Sequence, residues 1–149
     1  IARLTRLHTL DITGNQLTGL PPEIVQLAQL RFLSLGDNPL TVLPPAIFKL
    51  PELEELDLRA ANLARLPPEI GNLINLSVLD LGDNQFTRLP SEIGEVNRLF
   101  YLGLDGNLLS TLSTGISKLT NLVHLVLDSD QMSSLSPEIV TLPIWEITS

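Results

Sequence analysis

The chain has 149 residues, of which 44% are apolar, and 17 Asp and Glu against 9 Lys and Arg give a formal net charge of −8 at pH 7. This acidic balance argues against nucleic acid and against anionic membrane surfaces as partners, because both are bound mainly through Lys and Arg. The apolar share is sufficient for one buried core, so a single domain over residues 1–149 is expected. No apolar run approaches the roughly 20 residues of a membrane-spanning helix, and no membrane partner is predicted.

The sequence repeats itself without gaps every 23 residues. A partial repeat occupies residues 1–6 and a tail occupies residues 145–149. The full units between them are 7–29, 30–52, 53–75, 76–98, 99–121 and 122–144. Such self-similarity is typical of repeat proteins, in which consecutive units stack and bury their apolar sides against one another.

Each unit begins with a strand-like pattern and continues into a helix-like pattern. In the first full unit Leu10 and Ile12 alternate with polar residues, which predicts a short strand with these two side chains pointing inward. Within residues 20–27 the apolar side chains are spaced by four and then by three, which favours a short helical or 3-10 segment. Pro21 stands where that segment begins, a place that tolerates proline because the N–H it lacks would have no partner.

An asparagine follows most of the strands, at the point where the chain turns. Stacked side-chain amides at these turns are expected to donate to and accept from backbone groups that the bend leaves unpaired. Ala61 takes this place in the third full unit, with Asn62 one residue late, and Asp130 takes it in the last unit. We expect locally weaker turns at these two departures. The regular positions are Asn15, Asn38, Asn84 and Asn107.

The unit pattern LxxLxLxxNxLxxLPxxIxxLxx, with LPPEI segments at residues 20–24 and 66–70, resembles the leucine-rich repeat family and its 23-residue class. That class occurs in intracellular Ras-group repeat proteins and in many bacterial proteins. The resemblance implies an α/β fold, namely a right-handed solenoid with a parallel β-sheet on the concave face and short helical or 3-10 segments on the convex face. Extracellular members usually carry disulfide-bonded caps, whereas this chain has no cysteine. The expected location is therefore the cytoplasm, or a host cell to which a bacterial protein is delivered.

The two ends of the sequence depart from the regular pattern. Residues 1–6 align with the end of a repeat, so the chain is expected to open inside an earlier unit. Trp145 falls where a seventh unit would begin, which places Thr148 at that unit's second core position. Neither end offers the polar terminal unit that repeat arrays generally need, so we predict exposed apolar edges and possible end-to-end self-association.

Three positions of each predicted strand point outward and are left free by the repeat. Six of these eighteen positions hold carboxylates and one holds an arginine, Arg59, which predicts an acidic concave wall. Clustered like charges cost stability unless a partner offsets them, so a basic peptide or protein is the expected ligand. The alternative is that aspartate is frequent at these positions throughout the family and that its side chain is solvated and binds no ligand. The candidate partner-binding residues are Phe32, Glu55, Asp57, Arg59, Val78, Asp80, Tyr101, Asp105, His124 and Asp128.

Aromatic rings also occupy outward positions near either end of the predicted sheet. Phe32 lies near one end, and Tyr101 lies beside His124 near the other, three repeats or roughly 15 Å away by strand spacing. Large exposed rings are frequent anchors of protein interfaces. Single exposed apolar residues are also common, so a purely solvent-facing role remains the alternative.

Catalytic interpretations find little support in the sequence. His8 and His124 are five repeats apart and cannot share a metal ion or a proton relay. His124 with Asp105 and Asp128 is the one conceivable cluster, and it would be open to water. No catalytic residue, metal or cofactor is therefore expected.

A protein–protein interaction module is the leading hypothesis for function. One alternative is the targeting portion of a larger enzyme, such as a bacterial effector ligase or a repeat-bearing kinase or GTPase. The other is a structural or engineered array selected for stability. The flanking sequence would distinguish the targeting portion of an enzyme from an interaction module. Substitutions on the concave face that have no effect would indicate a structural or engineered array.

Overall fold

The computed structural model describes residues 4–127 and the strand Glu146–Thr148. Each of the repeats from 7–29 to 99–121 contributes one three-residue strand and, after a turn, a short 3-10 helix. The strands are β1 (Thr9–Asp11), β2 (Phe32–Ser34), β3 (Glu55–Asp57), β4 (Val78–Asp80), β5 (Tyr101–Gly103), β6 (His124–Val126) and β7 (Glu146–Thr148). The 3-10 helices of the described residues are η1 (Pro22–Gln26), η2 (Ile47–Lys49), η3 (Pro68–Asn72), η4 (Ser91–Glu95) and η5 (Thr114–Lys118).

The strands form one parallel sheet in chain order, from β1 to β7. From β1 to β6 equivalent residues of consecutive repeats pair, as Leu56 with Leu79 and Leu79 with Leu102, so the sheet register follows the 23-residue sequence period. Parallel strands need a crossover connection, and between β1 and β6 each crossover carries a 3-10 helix. The architecture is the α/β solenoid expected from the sequence.

The last strand corrects the sequence alignment by one residue. Ile147, not Thr148, pairs with Leu125, because the step from β6 to β7 contains 22 residues. Thr148 pairs instead with Val126, at a position that points outward in the regular repeats. A slip of one residue exchanges the two faces of a strand, so backbone pairing and not a fixed residue count decides the register here.

The core is a column of stacked aliphatic side chains between the sheet and the 3-10 helices. The middle leucine of each strand from β2 to β6 is fully buried, and so are the isoleucines at the centres of the 3-10 helices, such as Ile70 and Ile93. Leu10 and Ile12 are only partly buried, because β1 pairs with β2 alone among the described strands. The inward assignment of the alternating strand residues is therefore confirmed.

The outer wall consists of 3-10 turns and contains no α-helix in the described part of the chain. The N–H of Leu27 bonds to the carbonyl oxygen of Ile24, three residues earlier, at 3.0 Å. Strands stack about 4.8 Å apart, and an α-helix is about 10 Å across, so one α-helix per repeat would spread the outer wall widely. Narrow 3-10 segments keep consecutive units close while still bending the solenoid, with the sheet on the concave side. Within residues 4–127, no helix is long and apolar enough to cross a membrane.

The turn asparagines hold consecutive repeats together, as the sequence predicts. The side-chain amide of Asn84 donates to the carbonyl oxygens of Leu58, Leu81 and Gly82 at 2.8, 3.0 and 2.9 Å. Its Oδ1 accepts from the backbone N–H of Leu63 at 2.9 Å. Asn38 and Asn107 are also buried and make equivalent bonds, whereas Asn15, in the first described repeat, is exposed. Each buried asparagine therefore joins its own turn to the preceding unit.

Ala61 replaces the asparagine in the third full unit, and its backbone carbonyl oxygen supplies one hydrogen-bond acceptor that the asparagine side chain would have provided. The N–H of Leu40, whose equivalents in other repeats bond to an asparagine Oδ1, bonds to the carbonyl oxygen of Ala61 at 3.1 Å. Asn62 adopts a positive φ of 58° next to it, whereas the positive φ of Ala60 (53°) recurs at the same position of other repeats, as at Asp37 and Asp83. Left-handed conformations are unfavourable for alanine, so a weaker turn remains the expectation here. Asp130, the other departure, lies outside the described residues.

Candidate binding face

The sheet's solvent-facing residues, together with those at the strand exits, form what we call the binding face. Equivalent positions lie side by side across the sheet, as Phe32 beside Glu55 and Val78 beside Tyr101. Glu55 is exposed, while Phe32, Val78, Tyr101 and His124 are half-buried. The structure therefore brings the sequence-derived candidates onto one surface, except Asp128, which lies outside the described residues.

Arg59 forms the electrostatic centre of this face. Its guanidinium donates to both carboxylate oxygens of Asp105, with Nη1–Oδ1 at 3.2 Å and Nη2–Oδ2 at 2.7 Å. Nη2 also lies 2.6 Å from Asp83 Oδ2, and Nη1 lies 3.8 Å from Asp80 Oδ1. The hydrogen bonds with Asp105 raise the pKa of Arg59 above its ordinary value, despite some burial. One guanidinium is therefore shared by three carboxylates.

Gly82 makes this long reach possible. Arg59 and Asp105 stand two repeats apart, so the arginine side chain must cross the exit of β4. A Cβ atom at Gly82 would collide with Arg59 Nη1 and would lie 2.9 Å from Asp105 Oδ1. The glycine therefore opens the path along which the guanidinium reaches its partners.

A chain of hydrogen bonds continues from Asp57 toward β1. The Ser34 hydroxyl donates to Asp57 Oδ2 at 2.6 Å, and the hydroxyls of Thr13 and Ser34 are 2.5 Å apart. Because Ser34 donates to the carboxylate, Thr13 is the donor in the second bond. Asp57 Oδ1 accepts from the backbone N–H of Arg59 at 3.0 Å. Asp57 is thus fixed by hydrogen bonds to Ser34 and to the Arg59 backbone, whereas Asp105 is fixed by the guanidinium.

Burial decides the direction of two pKa shifts on this face. Partial burial raises the pKa of the Asp80 carboxyl group, and the neighbouring Asp57 and Asp105 act in the same direction against Arg59 and the Gly82 N–H. Burial, followed by the charges of Asp80 and Asp105, likewise raises the pKa of the Tyr101 hydroxyl. The carboxylates of the face are divided between those that contact the Arg59 guanidinium and those, such as Glu55, that do not.

The raised pKa of Asp80 predicts how one substitution should respond to pH. A carboxyl group with a folded-state pKa above its unfolded value costs folding free energy when ionised, and this cost disappears below the unfolded pKa of about 3.9. Asp80→Asn should therefore unfold at a higher denaturant concentration than the parent at pH 7. The difference should vanish near pH 3, where both states of the parent are protonated.

Asp11→Asn is the matched control for this experiment. A hydrogen bond from the Thr13 N–H lowers the pKa of Asp11, so removing its charge should act in the opposite direction at pH 7. Urea titrations of both variants at the two pH values measure the effect. If Asp80→Asn were less stable than the parent at pH 7, attraction to Arg59 would outweigh burial at this position.

The aromatic group at one end of the face is larger than the sequence indicated. Phe100 is 45% exposed and packs edge-on against His124, with 5.0 Å between ring centroids. Tyr101 lies 6.5 Å from the same imidazole. The sequence analysis missed Phe100 because it considered only the alternating outward positions. The corresponding residues of earlier repeats, Arg31 and Glu54, form an ion pair at 2.6 Å, so this position also makes lateral contacts.

The described residues contain no group of three or more His, Cys, Asp or Glu side chains arranged to hold a metal ion. His8 precedes β1 and His124 begins β6, so the two imidazoles stand at separate strands of the sheet. What the face offers is an ordered array of carboxylates, one guanidinium and several half-buried rings. Such an array supplies contacts to a ligand.

Comparison with known proteins agrees with this architecture. A family described as "Leucine-rich repeat region" matches residues 49–143, and one described as "Leucine rich repeat" matches residues 5–63. No curated protein sequence matches the chain. The leucine-rich repeat fold is typically a scaffold that binds proteins or other ligands.

Solved structures of three such proteins superpose on nearly the whole chain. A leucine-rich repeat protein of Leptospira interrogans is 38% identical, with a TM-score of 0.87 over 96% of this chain and 38% of its own. The leucine-rich repeat domain of the type III effector XopL is 31% identical, with a TM-score of 0.83 over 96% of this chain and 52% of its own. TLR13, in a complex with ssRNA13, is 33% identical, with a TM-score of 0.81 over 95% of this chain and 21% of its own.

This chain thus spans between about a fifth and about half of the length of these three proteins. The similarity concerns the repeat array, which the sequence period, the parallel sheet, the buried leucines and the turn asparagines define independently. The chain belongs to the leucine-rich repeat family.

Proposed function

We propose that this chain is a protein-interaction module that binds a basic peptide, or a basic patch of a protein, along the binding face. The observation that carries this proposal is the charge of the face. Within the described residues its carboxylates outnumber its single guanidinium, and Glu55 is exposed in the middle of the sheet without an ion pair. A ligand with Lys or Arg side chains would offset this excess.

The division of the carboxylates indicates where a partner's cations would bind. Asp80, Asp83 and Asp105 already share Arg59, so their charge is partly compensated within the chain. Glu55 and Asp57 lie beside them on β3 without a guanidinium partner. The proposal therefore places a partner's Lys or Arg over β3, and assigns Arg59 to orienting the neighbouring carboxylates.

Half-buried rings lie on both sides of the β3 carboxylates. Phe32 is next to Glu55 on the adjacent strand, and Tyr101 with His124 lies beyond Val78. Rings that are already packed lose little conformational entropy when they contact a ligand, which makes them favourable anchors. A partner that combines basic and apolar side chains fits such a surface.

We propose that these residues bind a partner and do not catalyse a reaction, and that they hold no cofactor or metal ion. We also propose that the module acts in the cytoplasm, or in a host cell after delivery of a bacterial protein. End-to-end self-association remains a separate prediction, to be checked by sedimentation of the purified chain.

A charge reversal at β3 tests the proposal directly. Glu55→Lys combined with Asp57→Lys should reduce capture of partners from a cell lysate by about tenfold or more, because two favourable charge contacts become repulsive. Partners identified by mass spectrometry should then be purified and their affinity measured by titration calorimetry. Affinity of the parent should fall as salt is raised from about 50 to about 500 mM, because the Debye length shortens.

A matched control carries the same change of charge on the outer wall. Glu23→Lys combined with Glu69→Lys alters two exposed carboxylates in the first turns of η1 and η3, and should leave capture unchanged. Tyr101→Ala, which removes a ring and no charge, should weaken binding with little change in salt dependence. Equal capture by the β3 variant and the parent, with both folded, would exclude the binding face as the site.

A second candidate is that the array is the recognition portion of a longer protein with a further activity. It is supported by the comparison with XopL, because this chain spans 52% of that effector structure. The full coding sequence of the source gene would decide between the two, since catalytic motifs would have to stand outside the repeats.

A further inference from the structure

We infer that the chain carries a second docking surface, for an acidic and aliphatic peptide segment of a partner protein, in a groove between the strand exits and the 3-10 helices. This groove has a volume of about 980 Å³ and crosses three consecutive repeats. Three equivalent positions of each repeat line it, together with several residues that follow them, and none of these residues belongs to the sheet. Two of the three positions hold Val42, Leu43, Arg65, Leu66, Arg88 and Leu89.

The floor and one end of the groove are apolar. Leu43, Leu66 and Leu89 form a row of nearly buried side chains at its base, with 3%, 6% and 6% of their surfaces exposed. Val42 at the end of the row is 69% exposed, the most of the large apolar residues in the described part of the chain. Thr41, which precedes it, has a φ of 43°, a left-handed conformation that β-branched residues rarely adopt. Val42 is therefore the main aliphatic side chain that this groove exposes to solvent, above a floor of buried leucines.

The exposed rim of the groove is basic. Arg65 and Arg88 occupy the same repeat position as Val42, and both are exposed. Within residues 4–127 neither guanidinium has an ion pair or a side-chain hydrogen bond, whereas Arg31 and Arg59 are both bonded to carboxylates. Two unpaired cations side by side in a chain of net charge −8 constitute a local charge excess that only an acidic ligand would complement.

The apolar and basic parts of the groove together indicate which class of ligand would fit it. An extended peptide that carries acidic and aliphatic side chains can place carboxylates against Arg65 and Arg88 while an aliphatic group contacts Val42. Single-stranded nucleic acid is a poorer match, because binding it without base readout relies on aromatic rings for stacking and none lines this groove. Glu92 also lines the groove and would repel a continuous phosphate backbone, and the carboxylates of an acidic peptide would likewise have to lie at Arg65 and Arg88 and not beside Glu92.

The ligand of this groove is opposite in charge to the ligand proposed for the binding face, so the two proposals stand independently. The probe is a short fluorescent peptide in which Glu and Leu alternate, titrated into the 149-residue chain and followed by anisotropy. Amide shifts in ¹⁵N–¹H spectra should change at Val42, Arg65 and Arg88 and stay constant at Glu55. A peptide with Ser in place of Leu should bind more weakly.

Charge reversal in the groove is the decisive variant. Arg65→Glu combined with Arg88→Glu should weaken the peptide by about tenfold or more, and Val42→Ser should weaken it without changing its salt dependence. The matched control, Arg6→Glu combined with Lys49→Glu, makes the same change of charge at exposed residues outside the groove. Absence of peptide binding, equal binding by the reversed variant, or preferential binding of a uridine oligonucleotide or an anionic vesicle at the groove would overturn the inference.

Discussion

Leu79→Ala should lower the free energy of unfolding by about 2–5 kcal/mol. Leu79 is the middle residue of β4, fully buried, and stacked between Leu56 and Leu102 of the adjacent strands. Truncation removes apolar contacts with both neighbouring repeats and leaves a cavity, because a sheet held by hydrogen bonds on two sides cannot close around it. Urea denaturation followed by circular dichroism gives the difference in unfolding free energy.

The comparison variant for Leu79 is Ile74→Ala. Ile74 is 64% exposed, so the same kind of truncation should change stability by only about 0.5 kcal/mol or less. A parent-like denaturation curve for Leu79→Ala, with Ile74→Ala behaving as expected, would mean that the side chain does not contribute to the core. Since equivalent leucines recur in every strand from β2 to β6, the result applies to the whole stack.

The fold could be predicted from the sequence because each structural requirement recurs once per repeat. Leu33, Leu56 and Leu79 occupy equivalent places, so a single alignment gives both the inward face and the register of the sheet. The register at β7 escaped this reasoning, because the 22-residue step between His124 and Glu146 is visible only when the strands are paired.

The internal organisation of the binding face could not be predicted in the same way. The alignment places Arg59, Gly82 and Asp105 at the same outward position of three consecutive repeats, but it does not show that the guanidinium of Arg59 reaches Asp105, two repeats away. That partner depends on the length of the arginine side chain and on the missing side chain at Gly82, neither of which leaves a periodic signal. A contact between side chains two repeats apart depends on those individual residues. The 23-residue period predicts only the contacts that recur between every pair of neighbouring repeats.

This skipped contact also bears on rigidity. Repeat solenoids are stabilised mainly by interactions between nearest neighbours, so their flexibility accumulates along the array. The Arg59–Asp105 pair joins repeats 53–75 and 99–121 across the intervening unit. Held at both ends by hydrogen bonds, it restrains β3, β4 and β5 relative to one another. A ligand that binds over β3 would therefore meet a surface whose carboxylates are already in place.

Asn84→Ala should destabilise the chain about as much as the loss of a core leucine, by about 2–5 kcal/mol. The side chain is buried, and its removal leaves the N–H groups of Ala61 and Leu63 without their acceptor and three carbonyl oxygens without their donor. A buried backbone group that loses its partner costs about 1–3 kcal/mol, and several are lost here at once. Thermal and urea denaturation of the variant measure the effect.

Asn15→Ala is the matched control for the asparagine prediction. Asn15 makes the same local bonds, to the carbonyl oxygens of Ile12 and Thr13, but it is exposed, so water can replace it. Its substitution should cost less than about 1 kcal/mol. Ala61 shows that a turn without asparagine is possible when a backbone carbonyl oxygen accepts the bond from Leu40 and Asn62 adopts a positive φ. Equal stability of the Asn84 and Asn15 variants would therefore indicate that this rearrangement is available at every repeat, and that the asparagine ladder does not hold the units together.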